Sequence, residues 1–154
     1  MAITLLASLL PIILFLFPLV LWWIDGKKLK EITLHGFASM ILSWIVAEFL
    51  KSIFQTPRPF LVKGTTPLTF LYPNDPAFPS THTAALFALG TTIFLHDRKI
   101  GSVFLFLSLV AGIARVYAQV HTPVDILAGS LLGAIISLSI DRLHLFHLVK
   151  KYMK

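Results

Sequence analysis

The chain has 154 residues, 56% of them hydrophobic and 13% charged, and its mean hydropathy of +0.84 lies outside the range of water-soluble globular domains. It contains no cysteine, which excludes disulfides, thiolate nucleophiles, iron–sulfur clusters and Cys-based zinc sites. Thirteen basic against seven acidic residues leave a net charge of +6, a balance compatible with nucleic acid, anionic lipid or orientation in a bilayer, so the placement of the charges must decide.

At about 20 residues per crossing plus short loops, the length allows about five membrane spans and no soluble second domain. Residues 2–24 carry no charge, are interrupted only by Pro11 and Pro18, and end at Trp22 and Trp23. They are expected to form a retained span rather than a cleaved signal peptide, because no basic segment precedes the run, it is too long, and no small-x-small site precedes Asp25. A second span is expected from about Ile32 to Phe54, ending before Pro57 and Pro59. Residues from there to Pro79 read as a loop rich in Pro, Thr, Asn and Gly, long enough to suggest a functional loop or lid. Further spans are expected over about Ser80–Leu95, Ile100–Val120 and Pro123–Ile140. The first of these is short, which calls for tilt or local thinning of the bilayer. The tail from Asp141 to Lys154 alternates basic and apolar residues, and reads as an amphipathic helix on the inner leaflet rather than a metal site at His144 and His147.

Lys27, Lys28, Lys30, Arg98, Lys99, Arg142, Lys150, Lys151 and Lys154 fall in the short connections and the tail, which assigns those regions to the cytoplasm. The expected architecture is an all-α polytopic membrane bundle of about five helices, one domain over residues 1–154, with its N-terminus outside and its C-terminus cytoplasmic. A bilayer is the implied partner; no nucleic acid and no obligate protein partner are inferred. Lys51, Arg58, Lys63 and Arg115 remain on the outer side against the positive-inside rule, and cations kept there need a local reason.

Three segments bring unusual residues to that level. Lys51 and Arg58 lie seven residues apart at the exit of the second span, although Pro57 leaves their relative geometry open. Pro79-Ser80-Thr81-His82 stands where the third span begins, and a capping hydroxyl with free backbone N–H groups makes a natural anion seat. Arg115, His121 and Asp125 bracket the turn between the last two spans. If helix begins before His121, the spacing of four to Asp125 puts imidazole and carboxylate on one face. The carboxylate would then fix the tautomer and leave the other ring nitrogen free to attack an electrophile. Singly, each residue has a plainer reading: a snorkelling Lys51, Arg58 or Arg115, an interfacial His82, a capping Ser80 or Asp125. Their co-location favours a site. His82, His121, Asp75 and Asp125 form a conceivable metal set, but three fixed cations would repel a divalent ion, so the expected ligand is a phosphoryl group on a membrane molecule, with no metal and no cofactor.

The patterns Lys51-x6-Arg58-Pro59, Pro79-Ser80-x-His82 and Arg115-x5-His121-x3-Asp125 resemble the three-part signature of the type 2 phosphatidic acid phosphatase superfamily of integral membrane lipid phosphatases. The resemblance covers roughly residues 45–135, with Thr81 where the family usually has Gly and Ala114 where it often has Ser. It implies that His121 attacks phosphorus to form a phosphohistidine, that Asp125 holds its imidazole, and that His82 protonates the leaving oxygen. It also implies that Lys51, Arg58, Arg115, Ser80 and the Thr81 N–H bind the nonbridging oxygens. Activity is then expected at the periplasmic face of an inner membrane, on undecaprenyl diphosphate, phosphatidylglycerol phosphate, phosphatidic acid or lipid A 1-phosphate. A non-enzymatic lipid-binding or flipping protein using the same basic pocket is the rival expectation.

Among the remaining polar residues, Glu48 is expected to pair with Lys51 one turn on. Gly129 and Gly133 read as a close helix-packing face. Asn74, Asp75 and Lys63 are weak candidates for headgroup contact.

Overall fold

Each apolar run ends at a residue that breaks helix, and the breaks fix the elements. In a computed structural model, which describes residues 1–24 and 27–143, the chain is helical throughout its long elements. They are α1 (Ala2–Ile24), α2 (Lys27–Phe54), α3 (Pro59–Lys63), α4 (Thr81–His96), α5 (Arg98–Tyr117) and α6 (Pro123–Arg142). The expected amphipathic tail lies outside the described residues beyond its first three positions. The N-terminal ends of α1, α4 and α6 meet the C-terminal ends of α2 and α5 at one end of the bundle, while His35, His96 and Asp141 come together at the other.

The second apolar span begins at Ile32 as expected, and its helix extends back to Lys27, because Lys and Leu are good helix formers. One boundary differs from expectation. The expected outer loop contains α3: Pro59 occupies the first helical turn, and Gly64 closes the helix at φ 64°, a left-handed conformation that glycine adopts without a Cβ penalty.

Among the described residues, four helical stretches are long and apolar enough to cross a membrane. Helix α4 is the exception at 16 residues, about 24 Å at 1.5 Å per residue against a hydrocarbon core of about 30 Å. It is packed among α2, α5 and α6, and Ala84, Ala85, Leu86, Ala88, Leu89 and Ile93 are all buried. A short central helix meets protein where a peripheral one would meet lipid. The outward residues of its neighbours, such as Ile13, Ile45, Phe49, Val103, Phe106, Leu127 and Ile135, are exposed apolar side chains and form the lipid-facing surface.

Small residues set how closely α6 approaches α4. A Cβ added at Gly133 would lie 2.1 Å from the Ala84 carbonyl oxygen, and one at Gly129 2.6 Å from that of Ser80, so only glycine permits this backbone contact. Midway along the bundle, the Thr92 hydroxyl on α4 donates to Ser39 on α2 (3.2 Å) and pairs with Ser137 on α6 (2.9 Å). These hydroxyls lock the three helices in register at the level where water is absent.

Candidate active site

Beyond the Gly129 and Gly133 contact, the start of α4 rests against the start of α6, and the Ser80 N–H donates to the Asp125 carbonyl oxygen at 3.1 Å. Thr122 caps α6: its hydroxyl accepts from the Asp125 N–H (3.3 Å), while Asp125 Oδ2 accepts from the Thr122 N–H (2.7 Å). This reciprocal pair is a capping box. His121 therefore precedes the helix instead of lying on it. The box nevertheless turns the Asp125 carboxylate back toward the imidazole, with Oδ2 3.6 Å from Nδ1. That separation is just beyond a hydrogen bond, and Asp125 both caps its helix and faces the histidine.

The segment carrying His121 is held by backbone geometry. Gln119 takes φ 63°, a costly conformation for a residue with a side chain. Its carbonyl accepts from the Phe60 N–H of α3 at 3.0 Å. Arg58, the residue before α3, then reaches across: Nη1 donates to the Val120 carbonyl (2.8 Å) and lies 3.5 Å from His121 Nε2. Nε2 thus faces the cations while Nδ1 faces the carboxylate, the orientation in which the neutral Nδ1–H tautomer exposes a lone pair on Nε2. Burial pushes the His121 pKa down; the Asp125 carboxylate opposes this, the charges of Arg115 and Arg58 reinforce it, and the group lies at about 4. The imidazole is neutral near pH 7, as a nucleophile requires.

The remaining residues singled out in the sequence surround this pair. Lys51 and Arg58 are 1% and 2% exposed, and the Pro57 break between α2 and α3 brings them to a common partner. Arg115, also buried, donates from Nη1 to the Ala7 carbonyl of α1 at 3.0 Å, and its Nε finds no partner among the described residues. A buried guanidinium with an unsatisfied N–H has a donor free for an oxyanion. His82 and Arg115 share the wall of a groove of about 210 Å³ between α1 and the segment joining α3 to α4, whose other lining includes Ile12, Phe70 and Leu71. The His82 ring packs against Trp44 and Phe15, with centroids at 5.3 and 6.1 Å. Ser80 caps α4, its hydroxyl engaged with the Thr83 N–H (3.4 Å) and Thr83 Oγ1 (3.0 Å). Thr81, in the first turn of α4, is buried. Glu48 Oε1 lies 3.8 Å from Lys51 Nζ, the pairing expected from their spacing.

One central residue was given little weight in the sequence. Asp75, on the segment between α3 and α4, accepts from Lys51 through Oδ2, from Arg58 Nη2 through Oδ1 (2.8 Å), and from Arg58 Nε through its backbone carbonyl (2.8 Å). Burial works against its charge, but the Lys51 hydrogen bond and the charges of Arg58 and Lys51 outweigh this and hold the carboxyl at about 2. It is the only acidic residue between Glu48 and Asp97, and two cations that leave water together require a counter-charge; that was the available signal.

Comparison with known proteins places this geometry in a family. Residues 33–148 match the family model described as the PAP2 superfamily. Bacitracin transport permease protein BcrC of Bacillus licheniformis is 30% identical over 78% of this chain and 60% of its own length. The undecaprenyl-diphosphatase BcrC of Bacillus subtilis is 30% identical over 77% and 60%. The chain thus spans about 60% of the length of the curated relatives it matches. Among solved structures, LpxE of Aquifex aeolicus superposes with a TM-score of 0.71 at 25% identity, covering 85% of this chain and 77% of that one. The transmembrane PAP2-type phosphatidylglycerolphosphate phosphatase of Bacillus subtilis superposes at 0.63 and 19% identity, covering 92% and 73%, a likeness of fold.

Proposed function

The chain belongs to the PAP2 superfamily, and from that premise we propose that it is a metal-independent phosphatase of membrane lipid phosphates acting through a phosphohistidine. The observation that carries the reading is the 3.5 Å approach of His121 Nε2 to the buried Arg58 guanidinium, with the Asp125 carboxylate behind the ring. A phosphoryl group held by Arg58, Arg115 and Lys51 presents its phosphorus to the Nε2 lone pair.

In the first step the N–P bond forms as the bond from phosphorus to the leaving oxygen breaks, and His82 gives that oxygen its proton. In the second, water attacks the phosphohistidine, its proton passes to His82, the P–N bond breaks and inorganic phosphate departs. The cations carry the charge of the five-coordinate transition state, with the Thr81 N–H at the start of α4 as a further donor and Ser80 contributing if its hydroxyl turns from Thr83.

For the substrate we favour a polyprenyl diphosphate. The groove, about 210 Å³, is lined by Ile12, Phe70, Leu71 and Pro73 beside Ser8, Thr69, His82 and Arg115, a volume that suits one extended chain better than a saccharolipid headgroup, and a curated relative is named an undecaprenyl-diphosphatase. Arg98, Lys99 and Arg142 lie at the bundle end opposite the site, which supports an active site on the periplasmic or exterior face of the inner membrane.

The test is phosphate release by the purified protein from a panel of lipid phosphates, with and without EDTA, beside His121→Ala. Release fastest from polyprenyl diphosphate, unaffected by chelator, inhibited by vanadate as a five-coordinate mimic and abolished in the variant is expected. Activity that survives His121→Ala would exclude the phosphohistidine, and loss in EDTA would require a metal. Lipid binding without any turnover would favour the non-enzymatic reading.

A further inference from the structure

Lys51 and Arg58 are the most deeply buried cations of the site, and each needs to be aimed. Glu48 serves only Lys51, from its own helix and at 3.8 Å. Asp75 alone touches both, and it does so from a segment docked at several points. The Ala77 N–H donates to the Thr56 carbonyl (2.8 Å), the Leu68 N–H to that of Ala118 (3.1 Å), and the Phe70 N–H to Ser8 Oγ on α1 (3.2 Å).

Two roles are open to a carboxylate in this position: it can fill the phosphate seat until substrate displaces it, or it can hold the cations while substrate binds beside it. The donors of Arg58 distinguish them. Asp75 takes the Nε and Nη2 edge, through its backbone and side chain. The nitrogen next to His121 is Nη1, which donates to Val120 and lies 3.5 Å from Nε2, and makes no bond to Asp75. The donor closest to the nucleophile is therefore not occupied by Asp75. Arg115, which also faces the groove, makes no hydrogen bond to Asp75.

We propose, on the basis of the phosphatase reading, that Asp75 is a positioning residue that bridges Lys51 and Arg58 and holds them aligned beside His121 throughout turnover. Its negative charge offsets the repulsion between two cations that neighbouring protein shields from water. Because the same segment supplies Phe70 and Leu71 to the groove wall, the docking that admits the lipid chain also sets the cations.

The test compares wild type, Asp75→Asn and Asp75→Glu in phosphate release from polyprenyl diphosphate, with unfolding temperature in detergent measured for each. Asp75→Asn keeps the shape and removes the charge, so kcat is expected to fall by roughly ten- to a hundredfold, the scale of a misplaced catalytic group. KM is expected to stay level or drop, because the pocket gains net positive charge toward an anionic substrate, and Asp75→Glu is expected to recover part of kcat. An Asp75→Asn kcat equal to wild type overturns the proposal, and a higher one would show that the carboxylate obstructs the seat. A fall in kcat accompanied by a raised KM and a lower unfolding temperature also overturns it, in favour of a purely structural contact. If His121→Ala is inactive while Asp75→Asn matches wild type, only the role of Asp75 fails; if wild type itself releases no phosphate, the underlying function fails with it.

Discussion

At the scale of single residues, the site depends on charge placed where solvent is scarce. His121 is neutral at physiological pH because burial and two guanidinium groups outweigh the carboxylate of Asp125, which leaves its pKa at about 4. The sign follows: protonation below that value removes the lone pair, so kcat/KM for a lipid phosphate should show no loss attributable to this residue from pH 8 down to about 5 and should decline toward pH 4. A decline centred near 6.5, the ordinary histidine value, would mean that His121 is not held in the buried, cation-flanked setting described. Asp125 acts on the same ring through orientation and charge. Asp125→Asn is expected to lower kcat by about a hundredfold or more, and steady-state phosphate release measures it directly. The matching substitution at Glu48, half-exposed and 3.8 Å from its partner, should cost much less, since exposed ion pairs contribute about 0–1 kcal/mol.

At the scale of elements, the decisive contact is between α4 and α6. A side chain at position 133 would run into the Ala84 carbonyl, which is backbone and cannot rotate away. Gly133→Val should push α6 outward at a cost of about 1–3 kcal/mol or more, seen as a lower unfolding temperature in detergent. Phosphate release should also be lost, because Ser80 and Asp125 are joined across the same interface. Thr92→Val deletes two interhelical hydrogen bonds, but such bonds average only about 0.6 kcal/mol each in membrane proteins. Its effect should therefore be the smaller of the two, and the same unfolding measurement ranks them. The glycine spacing was visible in the sequence as a packing face. Which helix it meets was not, because helix pairing depends on how five amphiphilic surfaces share one bundle.

For the whole molecule, the absence of cysteine makes orientation simple to measure. Lys63→Cys, at the end of α3 on the site's side, should react with a membrane-impermeant maleimide added to intact cells. Lys99→Cys, in the first turn of α5 at the opposite end of the bundle, should react only after the membrane is permeabilised. The opposite pattern would put the site in the cytoplasm. The bundle's layout also explains how a 16-residue helix serves at its centre: α4 is enclosed by longer neighbours, and its start packs against the start of α6 beside the candidate site.

The sequence alone determined the membrane class, the apolar helices and the residues of the three motifs. Hydropathy and helix-breaking prolines act locally, and the motif residues stand out by type and spacing alone. The short helix α3 was missed because its five residues carry too little periodicity to distinguish from loop. The i, i+4 relation of His121 and Asp125 was legible, although a capping box rather than a shared helix face creates it. Only the tertiary structure decided that Asp75, 24 residues from Lys51, bridges two motifs, and that α6 presses on α4. Both depend on the burial of charge and on backbone approach between segments distant in the chain, where local sequence pattern exerts no force.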